Sequence, residues 1–363
     1  MSKNNIIVGA ALSLSGRYSY PGKQALAGIM AWSEWTNSRG GIPLGKNANN
    51  HTVVIKSYDD RSGRARCVAS IKRLITEDRA DIIMGPYSSG LMLAASEITS
   101  SKNRVIWNHG GALGGVEGSM CVDLLSPASI YFDSVIEYAQ ICVQPIDKAM
   151  VVYSSAGHFP YTVISGAINR LRSIGCDKIS INTYLPGARD FSPILEKVQE
   201  ISPTVLLQVG RIEDDLAFAN AIVSAKLRIP VVGLIAAPLK LFYETLGENS
   251  AYFVGPSQWE LERAKDVNFG PSVDSAISLI KNQGLDFVDY PAAQAFAGCL
   301  IAQKCIENSE SLEDNLLWDA ACELDIRTFY GHFKIDKVTG RQLAHTMPVV
   351  QWCGGEKRIV WPL

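Results

Sequence analysis

Short apolar runs alternate with amphipathic stretches along most of the chain, which predicts repeated strand–turn–helix units. Ile6 to Leu12 fits a buried strand. Lys23 to Ser38 follows as a helix, with Ala27, Met30, Ala31, Glu34 and Trp35 at helical spacing. Val53 to Tyr58 reads as a strand ending in Asp59-Asp60. Arg64 to Glu77 reads as a helix with Val68, Ile71, Leu74 and Ile75 on one face. Ile82 to Met84 and Val105 to Trp107 are further strands, the first leading into a helix that runs to about Ser100. The pattern breaks near Leu125–Pro127 and restarts with a helix over Ile130–Gln144. Strands then recur at Ala149–Tyr153, Ile179–Tyr184, Val205–Val209 and Val231–Ile235, with helices between them. A second break falls at Ala251–Gln258. Two helices follow it, the second over Pro291–Glu307, and a third covers Leu312–Leu324. Strand-like runs around a Thr339-Gly340 turn end the chain. Alternation of this kind implies an α/β fold of parallel sheets with helices on both faces. Two similar halves imply two domains, between which small ligands usually bind.

The 363 residues suffice for two domains or three, and 47% hydrophobic with 19% charged residues suits a large globular core. A net charge of -2 without any block of like charge argues against nucleic acid or a membrane surface as a partner. The apolar runs are too short to span a bilayer. Met1-Ser-Lys-Asn-Asn5 leads straight into the first strand, so a cytosolic protein and an exported one with its leader removed both stay open. No pair among the eight cysteines is spaced C-x-x-C, which speaks against a zinc or thioredoxin-like site. Most read as small buried residues, with one or two disulfides open to an exported chain.

The chemistry concentrates at strand ends. Asp81-Ile-Ile-Met-Gly-Pro-Tyr-Ser-Ser-Gly90 places Ser88 and Ser89 where a helix begins. A serine there caps the helix, or it holds a carboxylate beside the unpaired N–H groups; both readings stand. No G-x-G-x-x-G, G-x-x-x-x-G-K-[ST] or G-x-S-x-G follows a strand, and Gly110-Gly-Ala-Leu-Gly-Gly115 lacks the required order. An enzyme and a bound cofactor are therefore not expected.

Val8-Gly-Ala-Ala-Leu-Ser-Leu-Ser-Gly16, Asn37-Ser-Arg-Gly-Gly-Ile42, Tyr58-Asp-Asp60, Ile83-Met-Gly-Pro-Tyr-Ser-Ser89, Gln351-Trp352 and Val360-Trp-Pro362 occur in the order seen in one family. The chain resembles the type I periplasmic binding proteins of the branched-chain amino-acid group, the solute receptors of ABC importers. The resemblance implies two Rossmann-like lobes joined by three crossings, expected near Leu125–Pro127, Phe253–Ser257 and Phe329–Phe333. The N-terminal lobe is then 1–126 with 256–330, and the C-terminal lobe 127–255 with 331–363. It also implies hinge closure around a ligand, a membrane permease as partner and a periplasmic or cell-surface location.

By this resemblance Ser89 and its neighbours hold a ligand carboxylate, helped by Asn108, His109, Gly110 and Gly111; the two glycines either let backbone N–H groups approach the ligand or merely make a turn. Tyr18 and Tyr20 cover the ligand from the first lobe. Phe159 lies where the family places an aromatic lid, flanked by His158 and Tyr161. Arg211 follows an apolar strand and either pairs with an acidic ligand or with Glu213 or Asp214. Trp259 either lines the cleft or packs. The family's amino-acid receptors tend to hold the ligand ammonium with an acid on the second lobe. The matching stretch here, Val232-Gly-Leu-Ile-Ala-Ala-Pro238, is apolar, and Asp60 or Glu213 remain as substitutes. An aromatic or apolar carboxylate, or an amide, is favoured over a plain amino acid. A ligand sensor of the same fold, cytoplasmic if a regulator, is the alternative to transport.

Overall fold

The computed structural model describes residues 5–45, 49–263 and 265–362. Residues 1–4, which include most of the stretch leading into the first strand, lie outside that set. The chain forms two compact units, residues 1–127 with 259–345 and residues 128–258 with 346–363.

The first unit opens with β1 (Asn5–Leu12), α1 (Ser19–Ser38), β2 (Ile42–Leu44) and β3 (Asn49–Asp59). It continues through α2 (Arg64–Thr76), β4 (Ile82–Met84), α3 (Ser89–Ser100), β5 (Ile106–Asn108) and β6 (Cys121–Asp123). The second unit runs α4 (Asp133–Cys142), β7 (Lys148–Ser154), α5 (His158–Ser173), β8 (Lys178–Tyr184) and α6 (Ser192–Ile201). Then come β9 (Val205–Val209), α7 (Ile212–Ser224), β10 (Val231–Leu234), α8 (Lys240–Leu246) and β11 (Val254–Pro256). The chain returns to the first unit with α9 (Val273–Lys281), α10 (Tyr290–Ser309), α11 (Asp314–Glu323), β12 (Ile326–Thr328) and β13 (Gly331–Phe333). It ends in the second with β14 (Val349–Cys353) and β15 (Glu356–Trp361).

In the first unit the sheet order is β2-β3-β1-β4-β5-β6, parallel except for the β2–β3 edge. Ala11, Ile83 and Ile106 of this sheet pack on Ile71, Leu74, Leu91 and Met92 of α2 and α3. Most of α10 is buried, and it lies against α1, as expected of a helix apolar on nearly every face. In the second unit the order is β15-β14-β11-β10-β9-β7-β8, with β14 and β15 antiparallel and the rest parallel. Strand ends in parallel sheets of this kind carry the loops that hold ligands.

Three expectations are corrected. First, α1 starts at Ser19, not Lys23, so Tyr18 is its N-cap and Tyr20 lies in its first turn. Second, α5 starts at His158, not Thr162. Pro21 and Pro160 each stand in a first turn, where a missing N–H costs nothing. Third, residues 331–345 pack with the first unit, not the second. Long-range bonds tie them there: Asp123 N–H donates to the Gly340 carbonyl at 3.0 Å, and Gln342 Nε2 to the Leu124 carbonyl at 3.0 Å. Ser126 Oγ likewise donates to the His345 carbonyl at 3.0 Å. The eight cysteines are unpaired, five of them buried. Among the described residues no helix is long and apolar enough to cross a membrane. Nor does any group of three or more His, Cys, Asp or Glu among them suit a metal ion.

Candidate functional site

In the first unit, β4 delivers the chain through Gly85-Pro86-Tyr87 to Ser88, the N-cap of α3. Ser88 sits at φ +85°, ψ +138°, a region that costs a non-glycine residue dearly. The position is held because Ser88 N–H donates to the Gly110 carbonyl at 3.0 Å while its Oγ accepts from Leu91 N–H at 3.3 Å. Met92 N–H donates to the Ser88 carbonyl. The cap therefore occupies the third and fourth N–H groups of the helix. The N–H groups of Ser89 and Gly90 and the Ser89 hydroxyl have no partner among the described residues, and Ser89 is 7% exposed. Three unpaired donors at a helix start favour an anion.

Asn108, at the end of β5, is fully buried and spends its whole side chain inside the unit. Its Nδ2 donates to the Gly111 carbonyl and to Asp123 Oδ1, both at 2.7 Å. Its Oδ1 accepts from Gly110 N–H at 3.1 Å and Gly111 N–H at 2.8 Å. The Gly110 and Gly111 amides expected to meet a ligand are thus engaged by Asn108 within the unit. The glycines serve packing. A Cβ on Gly110 would lie 2.7 Å from Tyr87 Cα, and one on Gly111 2.5 Å from Met92 Cβ. His109, also expected at the ligand, is fully buried near Gly298 of α10. Burial pushes its pKa down to about 4, so it is neutral at pH 7.

Tyr18 is half-buried, its ring 6.3 Å from that of Tyr87, and Tyr87 Oη lies 2.8 Å from Tyr290 Oη. Tyr20 Oη donates to Asp289 at the start of α10. Tyr87 and Tyr290 thus join Tyr18 beside the α3 start. The sequence analysis missed both, although Tyr87 stands inside its organising motif. Trp259 is 5% exposed and donates through Nε1 to the Phe329 carbonyl at 2.9 Å, so it packs within the first unit. Asp60 is fully buried, accepting from Ser13 Oγ at 2.6 Å and Ser62 N–H at 2.7 Å, while its Oδ2 has no hydrogen bond among the described residues.

In the second unit, β7 leads to Gly157, the N-cap of α5, at φ +93°, ψ +154°. Among the described α-helices, only α3 and α5 have N-caps with positive φ, one in each unit. His158 is exposed, Tyr161 is 62% exposed, and half-buried Phe159 meets Tyr131 edge-on at 5.5 Å. Arg211 is the N-cap of α7. Its N–H donates to Asp214 Oδ2 at 3.3 Å, but no carboxylate lies within 4 Å of its guanidinium among the described residues. Glu213 is exposed. The stretch after β10 is apolar, yet α7 brings Asp215 to it: Ala236 N–H donates to Asp215 Oδ2 at 2.9 Å. Asp215 is 1% exposed, and burial pushes its pKa up to about 7.

The family model described as periplasmic binding protein matches residues 5–357. Among similar solved structures is a leucine-binding protein, LivK, from Thermotoga maritima: 14% identical, TM-score 0.81, covering 98% of this chain and 97% of that one. Another is the substrate-binding protein LivJ from Streptococcus pneumoniae in complex with isoleucine: 13% identical, TM-score 0.78, covering 99% and 100%. A third is a solute-binding protein of an ABC transporter from R. palustris in complex with benzoate: 15% identical, TM-score 0.77, covering 98% and 95%. At these identities the likeness establishes the fold, and the family model carries the assignment. With two α/β units of this topology and a match over nearly its full length, the chain belongs to the periplasmic binding protein family.

Proposed function

We propose that the chain is the solute-binding component of an ABC importer, that it captures a small aromatic or apolar carboxylate by hinge closure of its two units, and that it hands the ligand to a membrane permease. The observation carrying the reading is the α3 start, where the Ser89 hydroxyl and two helix N–H groups are unpaired. Charge-assisted bonds to a carboxylate are the strongest use of such donors. Arg211, without an ion-pair partner among the described residues, supplies a cation for the ligand, and Phe159 an aromatic face. Asp60, Asp123 and Asp215 are buried, and half-buried Asp59 at the end of β3 already accepts from Leu14, Ser15 and Arg61, so an ammonium has no ready partner. Benzoate in one structural neighbour agrees with this preference; isoleucine in another marks the alternative.

A thermal-shift series with benzoate, 4-hydroxybenzoate, benzamide, leucine and isoleucine tests it. An aromatic acid should raise Tm, since it binds the folded chain only. Ser89→Ala should then weaken that acid by roughly 1–3 kcal/mol, about 5- to 150-fold. A response to leucine and isoleucine with none to the acids would reject the ligand class.

A further inference from the structure

We propose that strand β8, the open edge of the second unit, pairs with the same strand of a second copy of this chain, antiparallel about a two-fold axis at Ile181. β8 ends the seven-stranded sheet and pairs with β7 along all of its 7 residues without a bulge. Ser155 N–H donates to the Tyr184 carbonyl at 2.8 Å, so the peptide groups of Tyr184, Asn182 and Ser180 face β7. By alternation those of Thr183, Ile181 and Ile179 face outward. Among the described residues one of these outward groups has a partner: Ile179 N–H turns back to the Asp177 carbonyl at 3.2 Å. Unpaired edges are templates for another strand, and proteins blunt them. The other three edges of the two large sheets are blunted. β2 is short and holds Pro43. β6 is equally short, and Gly340 covers it by accepting from Asp123 N–H. β15 carries Glu356, Lys357 and Arg358 and runs into Pro362. β8 has no proline, and its one charged residue, Lys178, stands at its start. Its Ile181 is 51% exposed, and Leu185 just beyond it is 77% exposed.

The register selects a second copy as the occupant. With Ile181 on the axis, Ile181 stands opposite Ile181 and Ile179 opposite Thr183, all on one sheet face. Opposed β-branched pairs stabilise antiparallel strands, and no like charges meet, since Lys178 stands opposite Tyr184. The outward groups then bond: two hydrogen bonds join the Ile181 residues, and each Thr183 N–H donates to the Ile179 carbonyl opposite. Leu185 lies diagonal to Ile179 of the other copy, within reach of a long side chain. Asn182 and Tyr184 are turned to the other face of the sheet and are buried there. Lys197 Nζ donates to Asn182 Oδ1 at 3.0 Å, and Tyr184 meets Phe191 edge-on at 5.2 Å. The pairing uses up both edges, so assembly stops at two copies. So short a strand makes an interface at the small end of specific contacts, and the dimer is transient.

The test needs no ligand and is independent of the transport reading. Sedimentation velocity over ~5–500 µM protein should show monomer giving way to dimer as concentration rises. Hydrogen exchange of a peptide spanning 178–185 should slow over the same range. Ile181→Lys sets two ammonium groups opposite one another and should raise the dissociation constant at least ~10-fold, whereas Ile181→Val should leave it nearly unchanged. Thr183→Pro removes an outward N–H and no bond to β7, so it should weaken the dimer too and serves if Ile181→Lys does not fold. A monomer at every concentration overturns the proposal and leaves the edge to a strand of another protein. A dimer that neither variant weakens, or growth beyond two copies, overturns it as well.

Discussion

Replacing Asn108 with Ala separates a structural bracket from a ligand contact. Four hydrogen bonds of 2.7–3.1 Å disappear together. Gly111 keeps an N–H with no partner in a buried position, while its carbonyl still accepts from Gly114 N–H at 3.1 Å, and Asp123 loses its amide donor. At about 1–3 kcal/mol for each of these two buried losses, with Gly110 half-buried and able to reach water, the loss sums to roughly 2–4 kcal/mol. That is the upper end of single-substitution effects. The loss should also depend on pH. Burial already pushes the Asp123 pKa up to about 6 against the pull of Asn108. Without Asn108 it rises further, so the variant suffers more at pH 8, where ionisation is forced, than at pH 5. The two units need not unfold together, so the readout should be local. Hydrogen exchange of peptides spanning 105–127, compared with peptides spanning 205–212, gives it. Wild-type protection around β5 combined with lost ligand binding would refute the bracket and return Asn108 to the ligand.

Ser88→Gly should stabilise the unliganded protein by about 1 kcal/mol, since relief of ~1–3 kcal/mol of strain exceeds the few tenths lost with the cap. A fall in Tm would show that the positive φ is not strained. His109 is neutral in the folded state, with its pKa lowered to about 4 against an ordinary 6.5. Its contribution is present above pH 6.5 and is lost as pH falls towards 4, by roughly 3 kcal/mol. The stability difference between wild type and His109→Phe should shift across that window, and a constant difference would contradict it. Phe159→Ala should weaken an aromatic ligand and leave Tm of the unliganded protein nearly unchanged, as titration calorimetry and a melting scan would check.

Much of the fold was legible because short apolar runs such as Ile82–Met84 and Val205–Val209, bounded by turn residues, alternate with longer amphipathic stretches, and length and flanks tell strand from helix there. The helix starts at Ser19 and His158 were misplaced because Pro21-Gly22 and Pro160 read as loop, although a proline is harmless in a first turn. The third crossing was misplaced because Gln342 and His345 are held by Leu124 and Ser126, partners far away in sequence. At the candidate site, Ser88 and Ser89 stood out through their motif. The motif could not reveal that Asn108 absorbs the glycine amides, since residue type alone does not say which acceptor an N–H meets. Asp215 escaped notice because its relevance comes from α7 reaching the end of β10, a neighbour only in three dimensions.

The route of the chain through its two units constrains how a nascent polypeptide matures. The inner strand β14, between β11 and β15, comes from residues 349–353, whereas its neighbour β11 is made almost a hundred residues earlier. The second unit therefore exposes a raw sheet edge along β11 until the last segment emerges, and pairing across that sequence distance is slow. A chain stalled or clipped before β14 would leave that edge open to other strands, so assisted holding during synthesis matters more here than in a protein built from two consecutive domains.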